Sequence, residues 1–282
     1  MAQTVNITGY TIGWTDPFIL QYDWAKTVFL ERSDERTRDW PLLSNPIPVT
    51  VLTLAWLVFV LKLGPAMMRN RKPFTLRRLI LSINVLQVVL NAYVTYEFLA
   101  VGWLAHYNFW CQECEYIRTP EAMRMARACY IYFGLKLFDM LDTVIYVLRN
   151  KPNQVTFLHL YHHVSTLLLA WAVATYAPGG HGTFVQLLNT IIHVIMYTYY
   201  MIAGLGPRFQ RFLWWKRYLT RMQLFQFVLQ FSHNVNALRI GCKYSNVIIM
   251  MFLPIIVGTF SLFMNFYIKS YLKKVEQKKK QK

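Results

Sequence analysis

Apolar runs of about twenty residues dominate the chain and constrain its fold more than any other feature. A helix rises 1.5 Å per residue, so about twenty residues cross the roughly 30 Å hydrocarbon core of a bilayer. Seven such runs occur, at residues 47–65, 80–104, 124–148, 155–177, 183–205, 217–238 and 245–268. The chain is also 55% hydrophobic and only 15% charged, which disfavours a soluble domain. The sequence therefore predicts an all-α polytopic membrane protein with seven transmembrane helices.

The formal net charge is +17, and most of the basic residues lie outside the apolar runs. This distribution argues against nucleic acid as a partner. Lys and Arg concentrate between runs one and two, three and four, and five and six, and again after run seven. By the positive-inside rule, this places the N-terminus in the lumen and the C-terminus in the cytosol. No cleavable signal peptide is evident, so we expect the first run to direct insertion. Three regions follow: a luminal segment (1–45), a transmembrane catalytic domain (46–268) and a cytosolic basic tail (269–282).

Two short motifs bear on location. Asn6-Ile7-Thr8 is an N-glycosylation sequon, which is usable only on the luminal side of a membrane. The chain ends in KKQK, which fits a dilysine retrieval signal for the endoplasmic reticulum. A polybasic segment that touches anionic lipid would have the same composition. We therefore expect a multi-pass protein of the endoplasmic reticulum membrane, with Asn6 as its candidate glycosylation site and a chance occurrence of the triplet as the alternative.

The four cysteines, Cys111, Cys114, Cys129 and Cys242, fall in or beside predicted luminal segments, where disulfides persist. Cys111 and Cys114 form a C-x-x-C pair, which could indicate a redox or zinc site. Without a second such pair, the signal for either is weak. A structural disulfide between two luminal loops, joining Cys111 or Cys114 to Cys242, is the simpler interpretation.

Polar residues inside the apolar runs mark function by default, because they are costly in hydrocarbon. Four stripes occur, each on one helix face. They are Lys136, Asp139, Asp142 and Thr143; His159, His162 and His163; Asn189, His193, Met196, Tyr197 and Tyr200; and Thr220, Gln223, Gln226 and Gln230. An orienting Lys–Asp pair, an interfacial tyrosine belt and a glutamine ladder are the structural alternatives. Counted by helical rise from the predicted cytosolic ends, three of the stripes reach about 9–14 Å deep. This predicts one shared site that opens to the cytosol.

Several kinds of chemistry could use such a site. A di-iron oxidase needs about eight histidine ligands or more. The chain has seven histidines, two of them (His106 and His181) in predicted luminal loops, although a single zinc on two or three histidines stays open. A transporter or seven-helix receptor would not explain the convergence of the stripes. Metal-free acyl chemistry with a histidine nucleophile fits best, because no cysteine lies in the cytosolic half.

The motifs KLFDMLDT, HLYHH, NTIIHVIMYTYY and TRMQLFQF, in this order and spacing, resemble those of the very-long-chain fatty acid elongases, which are membrane 3-ketoacyl-CoA synthases. NRKPFTLRRLI after the first run adds to the resemblance, which extends from about Asp23 to the tail. Asp139 stands where many members have Glu, with the charge kept. The resemblance implies that six of seven helices form a barrel around an acyl tunnel closed on the luminal side. It also implies condensation of a long-chain acyl-CoA with malonyl-CoA, with loss of CO2, to a 3-ketoacyl-CoA two carbons longer.

The residues expected to carry this chemistry form two groups. The catalytic group comprises Lys136, Asp139, Asp142, His159, His162, His163, Asn189 and His193. The substrate-binding group comprises Gln223, Gln226, Tyr197 and Tyr200 in the site and Arg149, Lys151, Arg217 and Arg221 for the CoA phosphates. Either His162 or His193 would take the acyl group in a ping-pong reaction. Lys136 would hold the malonyl carboxylate or neutralise the aspartates.

The resemblance also implies substrates and partners. No metal or other cofactor is expected beyond the substrates, acyl-CoA and malonyl-CoA. The expected partners are membrane lipid and the ketoacyl-CoA reductase, dehydratase and enoyl-CoA reductase that complete an elongation cycle. A homo-oligomer is left open.

Overall fold

The computed structural model describes residues 5–7, 10–12 and 32–272. Near the N-terminus, strands β1 (Val5–Ile7) and β2 (Tyr10–Ile12) pair antiparallel, an element that the all-helical prediction did not include. Asn6 lies in β1, whereas Thr8 of its sequon and the KKQK tail fall outside the described residues. The predicted glycosylation of Asn6 and the predicted retrieval signal therefore stay predictions.

Eight α-helices follow within the described residues, and they account for nearly all of the remaining regular structure. They are α1 (Pro46–Val58), α2 (Gly64–Met68), α3 (Arg77–Phe98), α4 (Pro120–Leu148), α5 (Phe157–Tyr176), α6 (Thr183–Gly204), α7 (Lys216–Arg239) and α8 (Asn246–Tyr267). A π-helical turn, Phe59–Leu63, joins α1 to α2 in one continuous rod. Seven long rods therefore stand where the sequence has its seven apolar runs.

Helix starts are set by local side chains. Asn45 accepts a hydrogen bond from the backbone of Ile47 at 2.8 Å, and Pro46 begins α1. Thr119 caps α4 in the same way, again with a proline at the first position. Thr156 caps α5 by accepting from the backbone of His159 at 3.3 Å. Capping oxygens and an N-terminal proline satisfy or remove the first unpaired N–H groups of a helix. The Thr156 cap therefore also determines where the HLYHH histidines begin.

Five rods, counted with their helical extensions, are long and apolar enough to cross a membrane. They are Pro46–Met68, Arg77–Trp103, Phe157–Tyr176, Gly180–Gly204 and Asn246–Leu272. Apolar side chains on their outer faces suit contact with lipid: Val247, for example, is 71% exposed. Helices α4 and α7 have the length, with 29 and 24 residues, but are less apolar. The chain is therefore a multi-pass membrane protein, and that α4 and α7 also cross the membrane stays a prediction.

Helices α3 to α8 pack in a ring. Contacts run from α3 to α4, α5, α8, α7 and α6 in turn, and α6 packs extensively against α3. The α1–α2 rod lies outside the ring against α4, where the Trp56 indole donates to the Met140 carbonyl at 2.9 Å. The polar faces of α4, α5, α6 and α7 therefore turn toward a common interior.

One end of the ring, here called the disulfide end, is closed by loops. Cys111, between α3 and α4, is joined to Cys242, between α7 and α8. The sequence left Cys111 and Cys114 as alternatives for this bond, and in the structure Cys114 is a free thiol. Burial raises the pKa of Cys114 to about 12.

The segment before α1 completes this closure. Asp34 and Arg36 form a buried ion pair at 2.7 Å, and the Asp34 backbone donates to the Thr175 carbonyl at 2.8 Å. Gly180 has a φ of 60°, and a Cβ there would lie 2.7 Å from the Glu113 carbonyl oxygen. Only glycine takes that backbone angle readily and allows so close an approach. The opposite end of the ring, here called the cavity end, lacks this layer.

Candidate active site

A cavity opens at the cavity end between α4, α5, α6, α7 and α8. This main cavity encloses about 1510 Å³, counted with its open mouth. Most of the predicted site residues line it: Asp142, His159, His162, His163, Asn189, His193, Tyr197, Tyr200, Gln223 and Gln226. All four polar stripes therefore contribute to a single concave surface, the usual form of a small-molecule site.

Lys136, Asp139 and His193 form a buried cluster behind the cavity wall. The Lys136 Nζ lies 2.7 Å from an Asp139 oxygen and 3.5 Å from the His193 Nδ1. Lys136 and Asp139 are 1% and 2% exposed. The Nδ1 of His193 accepts from the Lys136 ammonium in one tautomer, and in the other carries a proton toward Asp139, whose oxygen is 3.7 Å away. The cluster therefore contacts the Nδ1 side of the ring, and His193 lines the main cavity.

Tyr197 links the two aspartates. Its hydroxyl lies 3.1 Å from an Asp139 oxygen and 2.8 Å from an Asp142 oxygen. On the far side, the Gln87 amide donates to the same Asp139 oxygen at 2.6 Å. Asp139 is thus fully hydrogen-bonded in a low-dielectric interior, where an unpaired carboxylate would be very costly.

The three histidines of α5 differ in their partners. The Nε2 of His159 is hydrogen-bonded to the Thr143 hydroxyl at 2.7 Å. The His159 ring centroid lies 4.2 Å from that of His163. The His162 ring packs edge-on against His163 and Phe263, and makes no hydrogen bond within the described residues. His163, which also lines the cavity, likewise makes no hydrogen bond within the described residues, so either ring could contact a bound molecule.

Amide side chains complete the wall. The Tyr132 hydroxyl donates to the Asn189 Oδ1 at 2.9 Å, which leaves the Asn189 NH2 group as a donor toward the cavity. Gln226 lines the same wall and is buried. The Gln223 amide lies 3.9 Å from the Met196 sulfur, a weak partner that a better acceptor can replace.

Sequence reasoning missed the contribution of α3 and of Tyr132. Gln87 holds Asp139, and the Asn91 amide in turn donates to the Gln87 side chain at 3.0 Å. The signal was available, because Asn84, Gln87 and Asn91 recur at three- and four-residue steps in an apolar run. Such spacing indicates one polar helix face.

The predicted phosphate-binding residues do not gather at one place. Lys216, which was not predicted, lines the main cavity at its rim. The guanidinium groups of Arg217 and Arg221 instead contact the Tyr267 hydroxyl, at 3.3 and 2.9 Å. Arg149 lines a second cavity, and Lys151 is exposed and lines neither.

A metal site requires histidines, cysteines or carboxylates that are grouped closely enough to bind one ion. Among the described residues, no three His, Cys, Asp or Glu side chains are grouped so that they could hold a metal ion. His106 lies in the loop after α3, 3.4 Å from Glu115, and His181 stacks on His233 at the disulfide end with ring centroids 3.8 Å apart. The single-zinc alternative therefore finds no three-ligand donor set in the described part of the chain.

Comparison with known proteins agrees with the motif resemblance. A family model described as the GNS1/SUR4 family matches residues 41–280. Very long chain fatty acid elongase 7 of Drosophila melanogaster is 39% identical over 260 residues, covering 92% of this chain and 79% of that protein. Very long chain fatty acid elongase 1 of Homo sapiens is 40% identical over 247 residues, covering 86% and 88% respectively. The chain therefore belongs to the GNS1/SUR4 family of very long chain fatty acid elongases.

Proposed function

We propose that the protein is a 3-oxoacyl-CoA synthase, which condenses a long-chain acyl-CoA with malonyl-CoA and releases CO2. The elongase relatives support the substrate class. The observation that carries the mechanism is the pairing of two histidines at one cavity. His162 is without a hydrogen-bonding partner in the described chain, and His193 is oriented by Asp139.

The acyl chain would lie in the main cavity. We propose that all seven rods span the membrane and that α3 to α8 act as a barrel around this tunnel. The ring of helix contacts supports the barrel, and the Cys111–Cys242 layer supports closure at the end away from the cavity mouth. By the positive-inside rule, the disulfide end would face the lumen of the endoplasmic reticulum and the mouth would face the cytosol.

In the first half-reaction, a His162 nitrogen attacks the thioester carbonyl and the carbon–sulfur bond breaks. The proton of the imidazole passes through a neighbouring base to the departing thiolate, which leaves as free CoA. His193 suits the role of base in the tautomer whose Nδ1 carries a proton toward Asp139, because Nε2 is then the acceptor. The product is an acyl-imidazole, a covalent intermediate that divides one difficult step into two.

In the second half-reaction, malonyl-CoA loses CO2, and the resulting enolate attacks the acyl-imidazole carbonyl. The carbon–nitrogen bond breaks, and one proton from solvent restores the imidazole. The amides of Asn189 and Gln226 can donate to the oxygen that gains charge. Lys136 does not line the main cavity, and its ammonium group contacts Asp139. This favours a role in neutralising that carboxylate over direct contact with malonate.

Purified protein in nanodiscs tests this proposal. With a long-chain acyl-CoA and carboxyl-labelled malonyl-CoA, we expect release of labelled CO2 and a 3-ketoacyl-CoA by mass spectrometry, with EDTA present. With acyl-CoA alone, we expect free CoA and an intact-mass increase of one acyl group. CO2 release without the covalent adduct would reject the ping-pong mechanism. Abolition of condensation by the chelator would reject metal-free chemistry.

The product also implies what must follow. A 3-ketoacyl-CoA has to be reduced, dehydrated and reduced again before a saturated chain results. We therefore propose that the ketoacyl-CoA reductase, dehydratase and enoyl-CoA reductase act next to this protein in the same membrane.

A further inference from the structure

The second cavity lies beside the main one at the cavity end, between α3, α4 and α6. It encloses about 1090 Å³, counted with its mouth. Tyr146 and Tyr200, together with Asp142 and Gln154, line both cavities and therefore form the partition between them. The bond-making steps proposed above take place in the main cavity, whereas Arg149, expected at the CoA phosphates, lines this second space.

Charge is concentrated at its rim. Arg77 begins α3 and Arg149 follows the end of α4, and both line the mouth. Arg77 is held in place, because its Nε and Nη2 donate to the carbonyls of Gly204 and Leu205 at 3.1 and 2.8 Å. The Arg149 guanidinium makes no hydrogen bond within the described residues. Two guanidinium groups at one mouth, one rigid and one free, suit a phosphate, whose oxygens accept several charge-assisted bonds.

An unused donor lies at the bottom. Asn84 is 3% exposed and lines the cavity, and its Nδ2 has no hydrogen-bond partner among the described residues. A buried amide donor without a partner is destabilising, because it loses its hydrogen bonds to water and gains none in return. Asn84 is seven residues from Arg77 along α3, which places it about 10 Å below the rim. The amide is therefore a donor directed at something the cavity admits.

The walls between rim and bottom are apolar. Ile80, Ile83 and Ile145 line this middle region, and Asp142, whose carboxylate already accepts from Tyr197 at 2.8 Å, lies at the bottom. A second negative charge beside Asp142 would be repelled, so the deep part suits a neutral group that accepts a hydrogen bond. The ligand is thus anionic at one end and slender and uncharged at the other.

We propose that the second cavity is a phosphate-binding site. A phosphate lies between Arg77 and Arg149, and the neutral arm of the same molecule reaches the Asn84 amide. Two sources share this chemistry. One is a soluble phosphate ester of the coenzyme A type, entering from the mouth, and this source rests on the function proposed above. The other is an anionic phospholipid, entering from the membrane.

Cysteine protection tests the site on the full-length protein in nanodiscs. Ala203→Cys places a thiol on the second cavity alone, where it reports on the proposed site. Phe266→Cys places one on the main cavity alone, where it reports on binding in that cavity. The rate of maleimide labelling is measured with coenzyme A in zwitterionic nanodiscs, and separately with phosphatidic acid in the nanodisc and no nucleotide. At about ten times the half-protecting concentration, a bound probe should slow labelling of Ala203→Cys about tenfold. Whichever probe protects identifies the source, and protection by neither overturns the proposal.

Three further variants localise the effect. Asn84→Leu and Arg149→Gln should each weaken protection of Ala203→Cys about tenfold or more, because each removes a donor to the ligand. Arg78→Gln is the matched control, since Arg78 is exposed and lines neither cavity. Asn84→Leu should leave the unliganded melting temperature unchanged, and Arg149→Gln alters only a rim side chain. Protection that survives both substitutions, or that Arg78→Gln weakens equally, overturns the proposal. The test needs no turnover, so its failure is separate from failure of the condensation mechanism.

Discussion

The two ends of the helix ring are built in opposite ways. At the disulfide end, a covalent bond, the buried Asp34–Arg36 pair and close-packed loops close the interior. At the cavity end, two concave spaces remain, and the polar faces of several helices line them. The difference indicates that stability is concentrated at one end and chemistry at the other. Substitutions at the two ends should therefore affect different measurements.

His162→Ala should give the largest effect on activity. Loss of a nucleophile should lower kcat by roughly 10³-fold or more and abolish the acyl adduct on incubation with acyl-CoA alone. The matched control is His106→Ala, a half-exposed histidine at the disulfide end that should retain activity. An adduct that persists in His162→Ala and disappears in His193→Ala would transfer the role to His193.

Asp139→Asn should affect both stability and activity, because it leaves the buried Lys136 charge unpaired. Breaking a buried ion pair from one side costs about 3–5 kcal/mol, measured as a fall in melting temperature. The double variant Lys136→Met, Asp139→Leu removes both charges and should recover much of that stability without recovering CO2 release. Recovered activity would show that the pair only supports the fold.

Loss of the disulfide should lower stability and leave catalysis nearly unchanged. Cys111→Ser with Cys242→Ser opens a link across 131 residues and should cost about 2–4 kcal/mol of stability. Below the new melting temperature, kcat should stay near that of the parent protein. If kcat falls while the fold holds, the two ends are coupled more tightly than the structure indicates.

Cys114 should give the smallest effect, visible only at high pH. Its pKa is raised by burial from an ordinary value of 9.0 to about 12, so folding favours the neutral thiol. That contribution is complete below about pH 9 and is lost as pH rises toward 12. Melting temperature should therefore fall between pH 9 and 11, and less steeply in Cys114→Ala. Identical slopes in the two proteins would show that Cys114 does not titrate in this way.

Much of this architecture was predictable from sequence. The apolar runs predicted the seven rods, because hydrophobic length is a local property of the chain. Helical spacing predicted the polar faces, and the motif resemblance to the elongase family is confirmed by the comparisons. The roles of the individual site residues stay predictions.

Other features of the site depend on how neighbouring helices pack. Residue spacing along a single helix does not predict that packing. The partition at Tyr146 and Tyr200 depends on how α4 and α6 face each other. Arg217 and Arg221 were expected at the mouth, yet both contact Tyr267, which belongs to α8. Gln87 was overlooked because amides in apolar helices are common, and only the fold shows that this one holds Asp139.

The Thr156 cap sets the rotational phase of α5. Successive residues advance by about 100° around a helix axis, so HLYHH can face the main cavity only if the count from the cap is kept. One residue inserted between Thr156 and His159 would shift that phase while leaving composition and hydropathy almost unchanged. The function of the three histidines therefore depends on their angular position around the helix axis as much as on their identity. Insertions and deletions should be tolerated far better before Thr156 than after it.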